Sequence, residues 1–425
     1  MRRFSVAAAD LAVLAFAYAG AFAARMNFVE PLCGWRQASV SAISALVVQM
    51  AALTALGLNR PWRWRVTGSD IPRYVSAFAI SASLLLFMRS LMASTALSWA
   101  RPPYSVTLID MVFAFFGIMA FRFLRERYLA DAFGVGPSRK PAGRKYDGLS
   151  GQVVMVTGAG GSIGGEIVRQ VLEAGAKRIL MVERGENALY RIDLEVGSGV
   201  CVPLMIDVND EEKLEAVFEA ERPSVVFHAA AYKHVPMCEL NPEEARRNNT
   251  EATGKVVRLA KKYGVGKLVF ISTDKAVNPK SVMGRCKRDA EKIVLDGGFT
   301  CVRFGNVFGS SGSVIELWRG QIAKGGPVTV TDRRMKRYFM SVEEAVSLVL
   351  AAASLESGHV YVLDMGEPRG ILEMAEMMIR EAGYRPYEDI GIEFIGIRPG
   401  EKLEEELGID GAEVVKTGYG KIYRI

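Results

Sequence analysis

The 425-residue sequence predicts an α/β protein in two parts: an N-terminal region of four transmembrane helices, then a doubly wound parallel sheet with a small C-terminal α/β lobe. Three observations carry this. Four apolar runs, each close to the roughly 20 residues that cross a bilayer, fill the first part of the chain. A glycine-rich turn, Gly158 to Gly164, stands between an apolar strand and a helix, with an acidic residue about 20 positions further on. Strand-like and helix-like stretches then alternate through the rest of the sequence.

Composition agrees with two parts. Half of the residues are hydrophobic, too many for a disordered chain. Charge is divided unevenly. Residues 1–147 hold 17 Lys and Arg against 7 Asp and Glu, a net +10, and the remainder holds 36 against 40, a net −4. Excess positive charge confined to an apolar region indicates membrane flanks and argues against a nucleic-acid surface. The five cysteines, Cys33, Cys201, Cys238, Cys286 and Cys301, are scattered without a C-x-x-C pair. That spacing fits reduced thiols better than a disulfide framework or a zinc site, and no metal pattern is expected.

The apolar runs are Ser5–Ala24, Ala38–Leu58, Tyr74–Leu97 and Tyr104–Phe123. The first is not expected to be a cleaved signal, because three more follow it without a soluble domain between. Arg2 and Arg3 precede the first run, Arg60, Arg63, Arg65 and Arg73 lie between the second and third, and Arg122, Arg125 and Arg127 close the fourth. The positive-inside rule then places both ends and the whole C-terminal domain in the cytoplasm. A buried helical bundle in a soluble protein is the structural alternative. Asp10, Arg89 and Asp110 fall inside the spans; a charge that only holds the bundle together competes there with a functional one. The stretch GVGPSRKPAGRKYDG reads as a linker. Expected boundaries are 1–128 for the transmembrane region, 129–150 for the linker and 151–425 for the catalytic domain.

GQVVMVTG reads as a strand, AGGSIGGEIVRQVLEAG as a turn opening a helix, and RILMVER as a second strand. This is the start of a Rossmann-type fold. Gly158, Gly160, Gly161, Ser162, Ile163 and Gly164 would bring backbone close to a pyrophosphate at the helix N-terminus. Glu183 ends the second strand where an adenosine ribose would sit, which favours NAD. Arg184 beside it would suit a 2′-phosphate, so NADP stays open.

The most informative stretch is Ile271 to Arg288, ISTDKAVNPKSVMGRCKR. It crowds Thr273, Asp274, Lys275, Lys287 and Arg288 around one loop and helix start. Met283 and Lys287, four apart, share a helix face. In the plainest reading Asp274 and Lys275 only cap a strand–helix turn. STDKAVNP followed by VMGRCKR resembles the extended short-chain dehydrogenase/reductases that act as nucleotide-sugar 4,6-dehydratases. More narrowly, it resembles the membrane-bound UDP-N-acetylglucosamine 4,6-dehydratases of the bacterial polysaccharide biosynthesis protein family. Most of that superfamily has Tyr-x-x-x-Lys here; Met283-x-x-x-Lys287 is the substitution of the membrane-bound branch. Many larger relatives carry an extra nucleotide-binding-like domain between membrane and catalytic parts. This chain has no room for it and resembles a short form, without a C-terminal extension.

The resemblance implies conversion of UDP-N-acetylglucosamine to a UDP-4-keto-6-deoxy sugar with NAD, or NADP, as cofactor. Oxidation at C4 acidifies the C5–H, a base removes that proton while an acid protonates the departing 6-hydroxyl, and hydride returns to C6. Lys275 is the expected C5 base, made neutral by desolvation and neighbouring positive charge. Asp274 is the expected acid, a carboxyl kept protonated in a dry site. Thr273 would hydrogen-bond the 4-oxygen, and Lys287 would fix the nicotinamide ribose. Met283 cannot take the 4-hydroxyl proton as a phenolate does, so Asp274, through Thr273 or a water, is the candidate for that step too.

Elsewhere the resemblance places Asp207 and Val208 against the adenine, with a helix N-cap as the competing role for Asp207. Ala229, Ala230 and Ala231 would admit the nicotinamide side of the cofactor. His228 and His234 are expected to be structural, while Lys233 lies where a substrate hydroxyl or phosphate could reach. Asn248-Asn249-Thr250 resembles a superfamily segment that supports the active site from a helix. Asn306 is expected to contact the nucleotide diphosphate. Arg337, from the basic cluster Arg333, Arg334, Lys336 and Arg337, is a pyrophosphate candidate among otherwise solvated charges. Arg398 and Glu401 in GIRPGEKLEEEL are expected over the uridine diphosphate, Arg398 through bidentate recognition.

Three competing activities stay open: a 4-epimerase, a dehydratase that inverts C5, and a non-catalytic membrane-tethered nucleotide-sugar-binding protein. The epimerase would need no Asp–Lys pair for elimination and would be expected to keep its Tyr. Expected partners are a UDP-N-acetylhexosamine substrate, a lipid bilayer (the bacterial inner membrane, crossed several times) and a second copy of the chain.

Overall fold

The computed structural model describes residues 4–25, 35–58, 71–95, 101–132, 148–408 and 414–425. The expected linker lies largely outside them, as do Arg2, Arg3, Arg60, Arg63, Arg65, Cys33 and the side chains of Arg125 and Arg127. Contacts divide the chain into two compact units, one of residues 1–137, 322–326 and 377–391, the other of 138–321, 327–376 and 392–425.

In the first unit the apolar runs form helices α1 (Phe4–Arg25), α2 (Trp35–Ala55), α3 (Ile71–Met92) and α4 (Tyr104–Ala132). All four are long and apolar enough to cross a membrane. Their outward side chains are apolar, with Phe16, Ile43, Val47, Phe87 and Phe116 exposed, as lipid contact requires. Inside, polar groups pair. Arg122 Nη2 donates to Asp10 Oδ2 at 2.7 Å between α4 and α1, Gln49 Nε2 donates to Asp110 Oδ2 at 2.7 Å, and Tyr18 donates to Ser41 at 2.6 Å. Arg89 donates to the Pro102 carbonyl and stacks 4.0 Å over the Tyr104 ring. Arg122 is therefore not the flanking charge expected from its place near the end of the run. It is 1% exposed, because an apolar interior retains a charge only beside its partner.

The second unit begins with β1 (Val153–Thr157), α5 (Ser162–Glu173), β2 (Arg178–Glu183), α6 (Glu186–Val196), β3 (Cys201–Met205), α7 (Glu211–Glu221) and β4 (Val225–His228). Then come α8 (Val235–Leu240), α9 (Pro242–Arg246), α10 (Ala252–Lys262), β5 (Lys267–Ile271), α11 (Val282–Asp296) and β6 (Thr300–Arg303). Later elements are β7 (Asn306–Phe308), α12 (Val314–Ala323), β8 (Val328–Val330), β9 (Lys336–Arg337), β10 (Phe339–Ser341), α13 (Val342–Ala353) and β11 (Val360–Leu363). The last are β12 (Arg369–Gly370), α14 (Ile371–Glu381), β13 (Ile392–Phe394), β14 (Val415–Lys416) and β15 (Ile422–Arg424).

Nine strands form one sheet in the order β14-β15-β11-β6-β5-β4-β1-β2-β3. From β3 to β11 every pairing is parallel, and β15 and β14 add antiparallel strands at one edge. Strand alternation feeds a core on each face. Val154 and Val156 of β1 join α5 and α13 residues such as Ile167, Val168, Val346 and Leu350. Met155, between them, joins Leu214 and Phe218 of α7, Val256 of α10 and Ala290 of α11 on the other face. Strand order reverses between β1 and β4, where a doubly wound sheet leaves its ligand crevice. Three two-stranded pairs, β10 with β7, β12 with β9 and β13 with β8, belong to the late part of the chain.

Candidate active site

The crevice lies beyond the C-terminal ends of β1, β2 and β4. Gly158, Gly161, Val182, Glu183, Arg184, Ile206, Val208, Ala229, Ala230, Ala231, Tyr232 and Asn248 line a cavity of about 180 Å³. Gly164, in the first turn of α5, lies so close to the turn before it that a Cβ would stand 2.0 Å from the Gly158 carbonyl oxygen. Only glycine permits that approach. Gly161 caps α5 without a side chain, so the first amides of the helix face the crevice unscreened. Ser162 accepts the Ser311 amide at 3.0 Å, and Ile163 packs toward the core on the β1–α5 face.

Glu183 ends β2 with both carboxylate oxygens engaged, accepting the Gly160 amide at 3.2 Å and the Gly185 amide at 2.9 Å. It holds the glycine turn against β2, and its remaining lone pairs suit ribose hydroxyls. Arg184 lies over the Tyr232 ring at 4.7 Å and 3.7 Å from Asp207. Asp207 is not a helix cap. Asp210 caps α7 by accepting the Lys213 amide, while Asp207 accepts the Asn209 amide at 2.8 Å in an Asx turn. The cap falls to Asp210 because α7 starts at Glu211, three residues later than a cap at Asp207 would require. This lining fits a dinucleotide: glycine amides for the pyrophosphate, a carboxylate for the ribose, apolar Ile206 and Val208 for a base, and small alanines below.

Behind the crevice His228 is fully buried. Thr253 donates its hydroxyl to the Asn249 carbonyl at 2.8 Å, so it accepts from His228 Nε2 at 3.0 Å, and Nδ1 accepts from Thr157 at 2.7 Å. The imidazole is neutral, with burial and the nearby Lys287 pushing its pKa down to about 3. His228 is thus a brace between β1, β4 and α10. Asn249 braces from the other side, accepting the Tyr232 amide at 2.8 Å and donating to the Tyr232 carbonyl at 2.9 Å. It sits in a single π-helical turn, Arg247–Glu251, a distortion frequent at functional sites.

The loop after β5 holds the ionisable cluster. Thr273 and Lys275 flank Asp274, which is buried with 0% exposure. Asp274 Oδ1 accepts from the Thr273 hydroxyl at 2.8 Å and from Lys275 Nζ at 2.9 Å. Asp274 Oδ2 is buried and has no hydrogen-bond partner among the described residues. Lys275 Nζ also donates to Asn306 Oδ1 at 3.2 Å and stands 4.0 Å from Glu405. Glu405 is a member the sequence reading missed. Arg337 stands 3.8 Å from the same carboxylate, and its guanidinium donates to the carbonyls of Lys336, Lys402 and Leu403.

Helix α11 supplies the second wall. Ser281 caps it through the Gly284 amide at 3.0 Å, and Glu239 accepts the Val282 amide at 2.6 Å. A Cβ on Gly284 would meet the Lys275 carbonyl oxygen at 2.3 Å, so glycine there lets the helix close on the loop. Met283 is 3% exposed and packs with Val235, Cys238, Ala245 and Cys286. Lys287 Nζ donates to the Ile271 carbonyl at 2.7 Å, and burial lowers its pKa to about 8. The remaining expected residues have partners of their own. Lys233 donates to the Ser311 carbonyl at 2.5 Å. Arg398 is exposed and pairs with Glu401 at 2.6 Å.

A profile for polysaccharide biosynthesis proteins matches residues 154–425. The chain belongs to that family. Within it, the chain is 48% identical over 289 residues to capsular polysaccharide biosynthesis protein CapD of Staphylococcus aureus, covering 65% of this chain and 48% of CapD. It therefore spans about half the length of CapD. It is 30% identical over 269 residues to the inverting UDP-N-acetylglucosamine 4,6-dehydratase of Campylobacter jejuni, covering 60% of this chain and 77% of that protein. Among solved structures, Pen from Bacillus thuringiensis superposes with a TM-score of 0.61 at 31% identity, over 65% of this chain and 88% of Pen.

Proposed function

We propose that this polysaccharide biosynthesis family member is a membrane-tethered nucleotide-sugar 4,6-dehydratase that converts UDP-N-acetylglucosamine to a UDP-4-keto-6-deoxy sugar. One observation carries the reading: a buried Asp274 shares Oδ1 with Thr273 and Lys275 and keeps Oδ2 without a hydrogen-bond partner among the described residues. Elimination of water needs an acid and a base within reach of adjacent carbons, and a single loop supplies both. NAD held by the glycine turn, Glu183 and the alanine floor would supply oxidation at C4 and reduction at C6.

Lys275 then removes the C5 proton, its amine steered by Asp274 and Asn306. Asp274 delivers a proton to the departing 6-hydroxyl from its carboxyl. Thr273, donating to Asp274, is placed to pass the 4-hydroxyl proton to the same carboxyl. That route gives the site a proton path in which the Met283 thioether needs no part. Lys287 supports the nicotinamide ribose side from α11. Asn306 reaches the substrate side of the cluster, and Arg398 and Lys233, on exposed loops, serve the diphosphate. The four N-terminal helices anchor the domain in the bacterial inner membrane. The catalytic domain faces the cytoplasm, an orientation now resting on the arginines other than Arg122.

The test is the full chain in detergent with UDP-N-acetylglucosamine and NAD in deuterated water, read by NMR. The expected product is a 4-keto-6-deoxy sugar with deuterium at C5, whose configuration separates retention from inversion. Formation of UDP-N-acetylgalactosamine would make the protein an epimerase, and binding without turnover would leave a nucleotide-sugar-binding protein.

A further inference from the structure

Glu405 lies in a run of acidic residues that reads as solvated surface, yet it is 7% exposed. Its Oε1 stands 4.0 Å from Lys275 Nζ and 3.8 Å from Arg337 Nη2, and its Oε2 is buried with no hydrogen-bond partner among the described residues. Buried carboxylate oxygens without partners are rare in folded proteins. Here two of them, on Asp274 and Glu405, flank one amine from segments about 130 positions apart.

Resting on the dehydratase reading, we propose that Glu405 is a positioning residue of the elimination site, a second carboxylate that sets the charge around the Lys275 amine. At 4.0 Å Glu405 is beyond hydrogen-bond reach of Lys275, so it acts by charge. Arg337 is fixed by three backbone carbonyls and holds the carboxylate in place rather than a diphosphate. The groups facing Glu405 are Lys275, Asp274, Arg337 and Lys402; burial raises its pKa, Lys275 lowers it, Asp274 raises it, and Arg337 and Lys402 lower it. Those facing Lys275 are Asp274, the neutral Asn306 and Glu405.

A base must be deprotonated to act, so an elimination that relies on an amine base has a rate limb that rises with pH. A carboxylate beside it favours the ammonium form and holds that limb at higher pH. Glu405→Gln, nearly isosteric, is therefore expected to move the limb to lower pH by on the order of one unit. Glu405→Asp, which withdraws the carboxylate, should move it the same way by less. The experiment is the pH dependence of kcat for C5 deuterium incorporation, with the full chain in detergent, for wild type and both variants. A wild type that forms no 4-keto-6-deoxy product defeats the dehydratase reading itself. An active wild type with unmoved limbs in folded variants overturns the role of Glu405 alone. If Glu405→Gln does not fold, Glu405→Asp decides, and its unmoved limb or its own failure to fold overturns the proposal in favour of a purely structural carboxylate.

Discussion

Lys287 Nζ donates to the carbonyl of Ile271 at 2.7 Å, tying the second turn of α11 to the last residue of β5. The amine also lies 4.3 Å over the Phe270 ring. Burial lowers its pKa from 10.5 to about 8, with Glu291 opposing. Between those two values the unfolded chain still binds a proton that the folded chain has lost. Stability from this group therefore rises with pH through that window. Wild type is expected to gain stability over Lys287→Met as pH increases, measured as urea midpoints in detergent between about pH 7 and 10. A difference that shrinks with pH would contradict the lowered pKa.

Asp274→Asn keeps an oxygen to accept from Thr273 and Lys275 but removes the acidic carboxyl function that could give or take a proton. The elimination rate is expected to fall by about 10²–10⁴-fold. If the carboxyl also takes the 4-hydroxyl proton, reduced cofactor should appear more slowly in a single turnover. C4 oxidation at the wild-type rate would remove Asp274 from that step.

Met283 fills an apolar pocket with Val235, Cys238 and Cys286 and has no proton to move. Met283→Leu is expected to cost less than about 1.5 kcal/mol in stability and to leave kcat nearly unchanged. Thermal melting and steady-state turnover check this together. A large loss of kcat in a stable variant would give the thioether a role that packing does not explain.

Breaking the Asp10–Arg122 pair by Arg122→Leu takes the guanidinium away from a buried carboxylate, and is expected to cost about 3–5 kcal/mol. Asp10→Leu combined with Arg122→Leu removes both charges and should recover much of that loss. Melting of the full chain in detergent reads the cycle. A double variant whose loss equals the sum of the two single losses would show that the charges act independently.

The fold was legible because its signals are local. The glycine turn, the apolar strands and the four long runs each announce themselves within about 20 residues. So did Asp274 and Lys275, neighbours in one loop. What escaped reading depends on distant chain. Glu405 stands among Glu404 and Glu406 with nothing in its own stretch to show that it alone faces Lys275. Arg122 looks like a flank until Asp10, 112 positions away, is seen beside it. Asp207 has a helix cap as its competing role by sequence, and the start of α7 gives that cap to Asp210 instead. Arg337 reads as a phosphate ligand within its basic cluster, yet its guanidinium meets carbonyls from the 402–403 backbone.

The brace formed by Thr157, His228 and Thr253 has a consequence for acidity. Its imidazole gains a proton only near pH 3, so across the ordinary physiological range it behaves as a fixed dipole. The rear wall of the crevice is insensitive to buffer, although it contains the residue type most often used as a pH sensor. Sensitivity to pH is left to neighbours such as Lys287, lowered to about 8, and Glu405, raised by its burial.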